Sequence, residues 1–86
     1  MINVIKFFGT WCAPCRMLDP VFESLKTKVD NNVKFSYIDI DEKQELTAKY
    51  GVRSVPTVVI EKNGQEVSRL VGVQSESKYL NEINNA

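Results

Sequence analysis

The first third of the chain shows a nearly continuous apolar run followed by a helical pattern. Ile2–Phe8 is rich in β-branched and aromatic residues, which is typical of a central strand covered on both faces. From Cys12 to about Val29, apolar residues recur at steps of three and four, as expected for one buried helix face. These residues are Met17, Leu18, Val21, Phe22, Leu25 and Val29. Pro20 lies inside this helix and predicts a kink, because it lacks an N–H and its ring crowds the preceding turn.

The middle of the chain predicts a second strand and a second, shorter helix. Val33–Ile38 alternates in polarity, and a strand after a crossover helix is expected to run parallel to the first strand. A short helix is predicted over about Glu42 to Tyr50. Its expected start is a capping box formed by Asp41 and Gln44, and its expected stop is Gly51 in a left-handed conformation.

The last third predicts a hairpin and a final helix. Thr57–Ile60 and Glu66–Leu70 flank Asn63-Gly64, a strong signal for a two-residue turn between antiparallel strands. Ser75 is expected to cap a helix whose apolar residues are Tyr79, Leu80 and Ile83. The predicted order is therefore β-α-β-α-β-β-α: a single α/β domain over residues 1–86 with a four-stranded mixed sheet and three helices.

Length and charge restrict the function further. With 86 residues, the chain has room for one small domain. Its 11 basic and 11 acidic residues leave no net charge, which argues against nucleic acid or an anionic membrane as a partner. Nothing at Met1–Lys6 resembles a secretory signal, so a cytoplasmic protein is expected, provided that the sequence is not a processed form. We also expect a monomer.

The two cysteines are the strongest chemical feature of the sequence. Cys12 and Cys15 are three positions apart, nearly one helical turn, so a reversible disulfide between them is feasible. Cys12 is expected at the positive end of the first helix, where a thiolate is favoured, and is therefore the better nucleophile. Pro14 suits the first helical turn and stiffens the segment. Cys15, one turn into the helix, is the natural resolving thiol.

Three other interpretations of the cysteines remain open at this point. A purely structural disulfide would close a very short loop and would gain little. Half of a zinc site would need ligands from carboxylates or from a second chain, because the sequence has no His and no further Cys. The cysteines could also be two inert core residues. Redox chemistry accounts best for their spacing.

The motifs together resemble those of the thioredoxin family. The similarity covers essentially the whole chain in order: Phe7-Phe8, Trp11–Arg16, Pro20, Asp39–Asp41, Tyr50–Thr57, Lys62–Gly64 and Val71-Gly72. This resemblance implies a minimal thioredoxin fold. It also implies a dithiol–disulfide oxidoreductase that takes part in electron transport and cell redox homeostasis. In such an enzyme Cys12 attacks the substrate disulfide and Cys15 resolves the mixed disulfide, and neither a metal nor an organic cofactor is needed.

The resemblance also implies a substrate surface and partners. Val55-Pro56 would carry a cis-proline beside Cys12, and the backbone of Val55 would pair with a substrate strand. Trp11, Val55, Pro56, Gly72 and Val73 would form a shallow apolar surface for a substrate protein. Protein disulfides would be the substrates, a thioredoxin reductase would recharge the protein, and ribonucleotide reductase would be a plausible client.

The sequence departs from the family pattern in several places. The family's first strand and first helix have no counterpart, so Val33–Ile38 should form an exposed edge that Lys34 helps to protect. Lys6 stands where most thioredoxins carry a buried Asp beneath the second cysteine, and Tyr37 replaces a lysine on the neighbouring strand. Ala13 replaces a common Gly, which also affects the redox potential.

Two placements of Lys6 remain open. Its ammonium can extend past the sheet edge to water and leave the sulfurs unaffected. If it stays inside, its charge favours a nearby thiolate and makes the couple more oxidising than is usual in the family.

Three rival functions differ in what they need. A glutaredoxin-like enzyme would use glutathione directly, although the Trp11–Cys15 context and the single Gly72 argue against it. A disulfide-forming oxidase of an exported compartment would share the chemistry, but the missing signal disfavours it. A non-enzymatic partner-binding module would use the apolar rim around Trp11 and would not need either sulfur.

Overall fold

Strands and helices follow one another in the predicted order, and the α/β fold class is confirmed. The structure, a computed structural model, describes all of residues 1–86. Its elements are β1 (Ile2–Phe8), α1 (Ala13–Met17), α2 (Asp19–Lys26), β2 (Val33–Asp39), α3 (Gln44–Lys49), β3 (Thr57–Lys62), β4 (Gln65–Val71) and α4 (Glu76–Asn84). No helix has both the length and the apolar character that crossing a membrane requires.

The four strands form one mixed sheet in the order β2-β1-β3-β4. β1 is central, as its continuous apolar character predicts: it runs parallel to β2 and antiparallel to β3. In this register Val4 lies opposite both Phe35 and Ile60. β2 forms one edge of the sheet, which confirms the predicted exposed edge.

The core is unequal on the two faces of the sheet. The larger cluster contains ten buried residues from the sheet, α2, α4 and Leu18: Ile2, Val4, Leu18, Phe22, Leu25, Val58, Ile60, Leu70, Tyr79 and Ile83. Phe22 lies near its centre, with its ring 5.5 Å from that of Tyr79 and 5.9 Å from that of Phe35. The apolar cluster on the opposite face has only three buried members, Ile5, Phe7 and Val59, and residues around α3 partly cover it. Because successive side chains of β1 point to opposite faces of the sheet, this strand contributes residues to both clusters.

The first predicted helix is interrupted at Leu18, which separates α1 from α2. The expectation of one kinked helix to Val29 is wrong in this respect. Pro20 has no N–H to donate to the carbonyl four residues earlier, so the helical ladder breaks and restarts. In α2, Pro20 occupies the first turn, where a missing N–H costs no intrahelical bond. α2 ends at Lys26, and Val29 packs against the core from beyond the helix.

The start of α3 also differs from the prediction. The helix begins at Gln44, after Lys43, which forms no side-chain cap. The predicted capping box is wrong: the Gln44 side chain donates to the Asp41 carbonyl instead, at 3.2 Å. Gly51 does follow the helix with a φ of +66°, as predicted for a left-handed stop.

The two remaining local predictions are confirmed. Asn63 and Gly64 have positive φ values of 53° and 84° and form the two-residue turn between β3 and β4. Both strands extend further toward this turn than predicted. The Ser75 side chain accepts a hydrogen bond from the Lys78 N–H at 3.2 Å and caps α4.

Candidate active site

The cysteines lie where β1 gives way to the first helix. Cys12 is the N-cap of α1, with extended backbone angles, and Pro14 occupies the first turn. The Cys15 N–H donates to Cys12 Sγ at 3.2 Å. This amide belongs to the first turn of the helix, where N–H groups have no acceptor within the helix itself. A hydrogen bond and a helix dipole at one sulfur both favour its thiolate form.

The structure holds the two cysteines in the oxidised form. A disulfide joins Cys12 and Cys15, whose Cα atoms are 5.3 Å apart. The feasible pairing inferred from their spacing is therefore formed, which is incompatible with two unlinked core cysteines. Both side chains are buried. The structure has no group of three or more His, Cys, Asp or Glu residues arranged to hold a metal ion.

A second loop, which leads into the neighbouring strand β3, meets Cys12. The Val55–Pro56 peptide bond is cis, which confirms the geometry implied by the resemblance. Cys12 Sγ lies 3.8 Å from the Val55 carbonyl oxygen. The Gly72 N–H donates to the Pro56 carbonyl at 2.8 Å, and Gly72 has a φ of +81°, which suits a residue without a side chain. The fold thus links Cys12, Val55, Pro56 and Gly72 by direct contacts.

Apolar side chains stay exposed around this junction. Trp11 is 63% exposed, which supports the predicted position at the motif edge rather than in the core. Its indole N–H donates to Asp41 Oδ2 at 2.9 Å. Val73, next to Gly72, is 45% exposed, whereas Pro56 is buried. The result is an open apolar rim beside a buried disulfide.

Gly9 leaves room for the Trp11 ring in its present position. A Cβ at Gly9 would lie 2.7 Å from Trp11 Cε2, closer than real contacts allow. The missing side chain at Gly9 therefore permits the indole to approach the backbone after β1 closely. Neither Gly9 nor Asp41 stood out in the sequence as a partner of Trp11, because the ring position depends on tertiary structure.

Beneath Cys15 lies a cleft of about 380 Å³. It is bounded by β1, β2, α1, α2 and the intervening loop, through Lys6, Phe8, Gly9, Thr10, Cys15, Arg16, Asp19 and Tyr37. A larger depression of about 710 Å³ runs along α3, is lined almost entirely by charged and polar residues, and contains neither cysteine.

Of the two placements considered for Lys6, the structure shows the internal one. Lys6 is only 3% exposed, and its Nζ lies 2.7 Å from Asp19 Oδ1. The ammonium also lies 5.5 Å from the centre of the Phe22 ring and 6.0 Å from that of Phe8. A buried ammonium needs such a partner, because an isolated charge is poorly solvated there.

Asp19 is the partner that the sequence did not reveal. It is four positions after Cys15, a spacing that could have placed it on the same helical face. The interruption at Leu18 changes that relation, so the contact with Lys6 could be seen only in the folded chain.

Comparison with known proteins agrees with the fold and identifies the family. The thioredoxin family model matches residues 1–85. Thioredoxin from Rickettsia bellii is 39% identical over 82 residues, spanning 95% of this chain and 78% of the relative. Thioredoxin from Chlamydia caviae is 41% identical over 81 residues, spanning 94% and 78%, respectively.

Solved structures show the same similarity. A mutant thioredoxin from Halobacterium salinarum superposes with a TM-score of 0.91 at 39% identity, covering 98% of this chain and 73% of that one. The oxidised mitochondrial thioredoxin 3 of Saccharomyces cerevisiae gives a TM-score of 0.91 at 29% identity, covering 99% and 78%.

Thioredoxins act on protein disulfides and are themselves reduced by thioredoxin reductase. Here a matching sequence, a matching fold and a Cys12–Cys15 disulfide at a helix start occur in one chain. The chain belongs to the thioredoxin family and is a thiol–disulfide oxidoreductase.

Proposed function

We propose that this protein reduces disulfides in other proteins, with Cys12 as the attacking sulfur and Cys15 as the resolving sulfur. The observation that carries the assignment is the hydrogen bond from the Cys15 N–H to Cys12 Sγ at the start of α1. This contact favours negative charge on Cys12, and the thiolate is the form of cysteine that attacks disulfides.

The reaction begins with the reduced protein. Cys12 Sγ bonds to one sulfur of the substrate, and the other substrate sulfur leaves as a thiolate with the electron pair of the broken bond. Cys15 then loses its proton and attacks Cys12 Sγ, which releases the second substrate sulfur. The substrate gains two electrons and two protons, and the protein returns to the disulfide form found in the structure.

The substrate is proposed to bind across the rim around Cys12. The Val55 backbone, which lies beside Cys12 Sγ, offers hydrogen-bonding groups to an extended substrate segment. Trp11 and Val73 offer exposed apolar area, while Pro56 and Gly72 shape the floor. Such a surface contacts backbone and apolar groups, which suits many unrelated protein disulfides.

The partners follow from this chemistry and from the family. A thioredoxin reductase is proposed to recharge the protein, and ribonucleotide reductase is proposed as a client. Ala13 between the cysteines and Lys6 beneath them are proposed to adjust the potential rather than to react.

The first experiment asks whether the two sulfurs divide the work as proposed. Cys15→Ser should attack substrate disulfides but leave each client attached to Cys12, because no resolving thiol remains. Mass spectrometry of proteins captured in a reductant-free extract would identify these clients. Cys12→Ser is the matched control and should capture none through this route.

A second measurement tests the activity directly. The wild-type protein should accelerate insulin reduction by dithiothreitol, and both single variants should lose this turnover. If wild type does not accelerate it, and Cys12 is alkylated no faster than a free thiol, the proposed reduction is wrong. A partner-binding module would instead keep its function when both cysteines are replaced by serine.

A further inference from the structure

Cys15 borders a cleft whose charged side chains take no part in the two sulfur-exchange steps. Cys15 is 1% exposed, and in the resolving step it must lose a proton before it can attack. A buried thiol needs an acceptor within reach, directly or through water. The cleft of about 380 Å³ borders Cys15 and has room for water.

The side chains that line the cleft differ in their ability to accept a proton. Lys6 and Arg16 carry cationic groups that only donate hydrogen bonds. Thr10 and Tyr37 present hydroxyl groups, which are weak bases. Asp19 is the only carboxylate among the lining residues, so it is the only anionic base in the cleft.

Asp19 is also held in a suitable position. Its Oδ1 is fixed at 2.7 Å by the Lys6 ammonium, which is itself 3% exposed and therefore fixed by packing. The Asp19 side chain is 65% exposed, so a proton received inside the cleft can pass on to bulk water. The Lys6–Asp19 pair thus borders both the cleft at Cys15 and the solvent.

We propose that Asp19, held by Lys6, accepts the proton of Cys15 through water in the cleft during the resolving step. This inference rests on the proposed function and specifies one of its steps. The Cys15 S–H bond breaks and its proton passes to the Asp19 carboxylate. The Cys15 Sγ–Cys12 Sγ bond then forms, the bond between Cys12 and the substrate breaks, and the substrate thiolate leaves with that electron pair.

The charged and titratable groups near Asp19 belong to β1, α1, β2 and α2. Lys6 faces it from β1, Arg16 belongs to α1, and Tyr37 faces it from β2. Glu23 and Lys26, on α2, line an adjacent cleft together with Asp19 and Tyr37. The Tyr37 hydroxyl and the Glu23 carboxylate raise the pKa of Lys26, which therefore stays cationic through the neutral range.

The test uses 5,5′-dithiobis(2-nitrobenzoate) and the fully reduced protein in stopped flow. The first thionitrobenzoate is released when Cys12 attacks, and the second is released when Cys15 resolves the mixed disulfide. Asp19→Asn should leave the first phase unchanged and slow the second by about tenfold or more at neutral pH, in the range of general base catalysis. In the variant, the second phase should accelerate with hydroxide until it meets the wild-type rate.

Two further variants complete the design. Glu23→Gln removes a carboxylate from the same helix outside the Cys15 cleft and should leave both phases unchanged. Asp19→Glu restores a carboxylate and should recover much of the second phase at neutral pH.

Each other outcome decides against the proposal. A second phase in Asp19→Asn equal to wild type at every pH would show that Asp19 is not the acceptor. An equal slowing at every pH would indicate a structural effect and would overturn the proposal as well. Absence of the first phase in wild type would instead contradict the proposed function itself, so the two failures can be told apart.

Discussion

Lys6 is the residue that most distinguishes this site chemically. Its ammonium borders the same cleft as Cys15 and is shielded from water, whereas its partner Asp19 is mostly exposed. Water screens the charge of the exposed carboxylate more than that of the buried ammonium, so the electrostatic potential of the pair at Cys15 is positive. That influence favours a thiolate, which exists only in the reduced form.

We therefore expect a reduction potential above the value of about −270 mV that is usual for thioredoxin. Lys6→Asp should make the potential more negative by about 30 mV or more, which corresponds to a tenfold change in the equilibrium constant of a two-electron couple. Equilibration with glutathione redox buffers, followed by separation of the oxidised and reduced forms, measures it.

Lys34→Asp is the matched control for this measurement, because it makes the same charge change on an exposed residue of β2. Its potential should stay close to wild type. An unchanged or higher reduction potential in Lys6→Asp would contradict the proposed effect of the Lys6 charge. If the added buried carboxylate prevents folding, Lys6→Met tests the same effect, because it removes the charge without adding another.

At this scale the sequence predicted the reactive residues better than their surroundings. The Cys12–Cys15 disulfide could be inferred because the two cysteines are only three positions apart, and the exposure of Trp11 could be inferred from its place at the edge of the motif. The Lys6–Asp19 contact joins a strand to a helix 13 positions later, and local patterns carry no information about such a pair.

Among the elements, α3 is joined to the sheet mainly at its C-terminal end. The Tyr50 hydroxyl donates to Glu61 Oε2 at 2.5 Å, and the Tyr50 ring lies 5.3 Å from that of Phe7. This hydrogen bond to Glu61 raises the pKa of Tyr50 to about 12. The protonated phenol is therefore favoured in the folded state.

The raised pKa of Tyr50 makes the free energy of unfolding depend on pH. The folded pKa of Tyr50 lies above its ordinary value of 10.0, so the stabilisation is complete below pH 10 and is lost as the pH rises toward about 12. Tyr50→Phe should be less stable than wild type by about 1 kcal/mol at neutral pH. The difference should shrink as the pH rises through this window.

Urea unfolding of both proteins across the alkaline range checks this expectation, because other alkaline effects occur equally in both. A difference in the free energy of unfolding that stays constant from neutral pH to the alkaline limit would contradict it. A Glu61→Ala variant, which removes the acceptor of this hydrogen bond, should likewise lack the alkaline loss that belongs to it.

Element boundaries could be predicted where one residue decides them. Gly51, Asn63-Gly64 and Ser75 each act through their own backbone preference or side chain, and all three were placed correctly. The interruption at Leu18 was not predicted, because the apolar face continues in register across it and only the missing donor of Pro20 breaks the ladder.

For the molecule as a whole, the order of the strands leaves β2 at an open edge. β2 bonds only to β1, and on the outer side of β2 the backbone groups have no partner strand. Such an edge invites pairing between copies, and a lysine on it opposes this. Lys34 is exposed on this strand.

We expect the wild-type protein to sediment as a monomer, and Lys34→Val to self-associate more strongly with increasing concentration. Sedimentation velocity over a concentration series measures both. Val67→Lys on β4, the other edge, is the comparison variant and should not increase association. If Lys34→Val stays as monomeric as wild type, the lysine does not protect the edge.

The overall topology was predictable because it follows from the order of the elements. A strand, a helix and a strand favour a parallel pair, and a two-residue turn imposes an antiparallel one. The relative size of the two core clusters was not predictable, because it depends on how many helices cover each face of the sheet.

The turn at Asn63-Gly64 offers a practical site for attachment. β3 runs from Thr57, next to Pro56, to Lys62, so its six residues place the turn about 20 Å from the reactive end of the sheet. Asn63 and Gly64 are both exposed. A peptide tag inserted at this turn would tether the protein to a sensor chip with its disulfide facing the flowing sample, so that client capture could be recorded in real time.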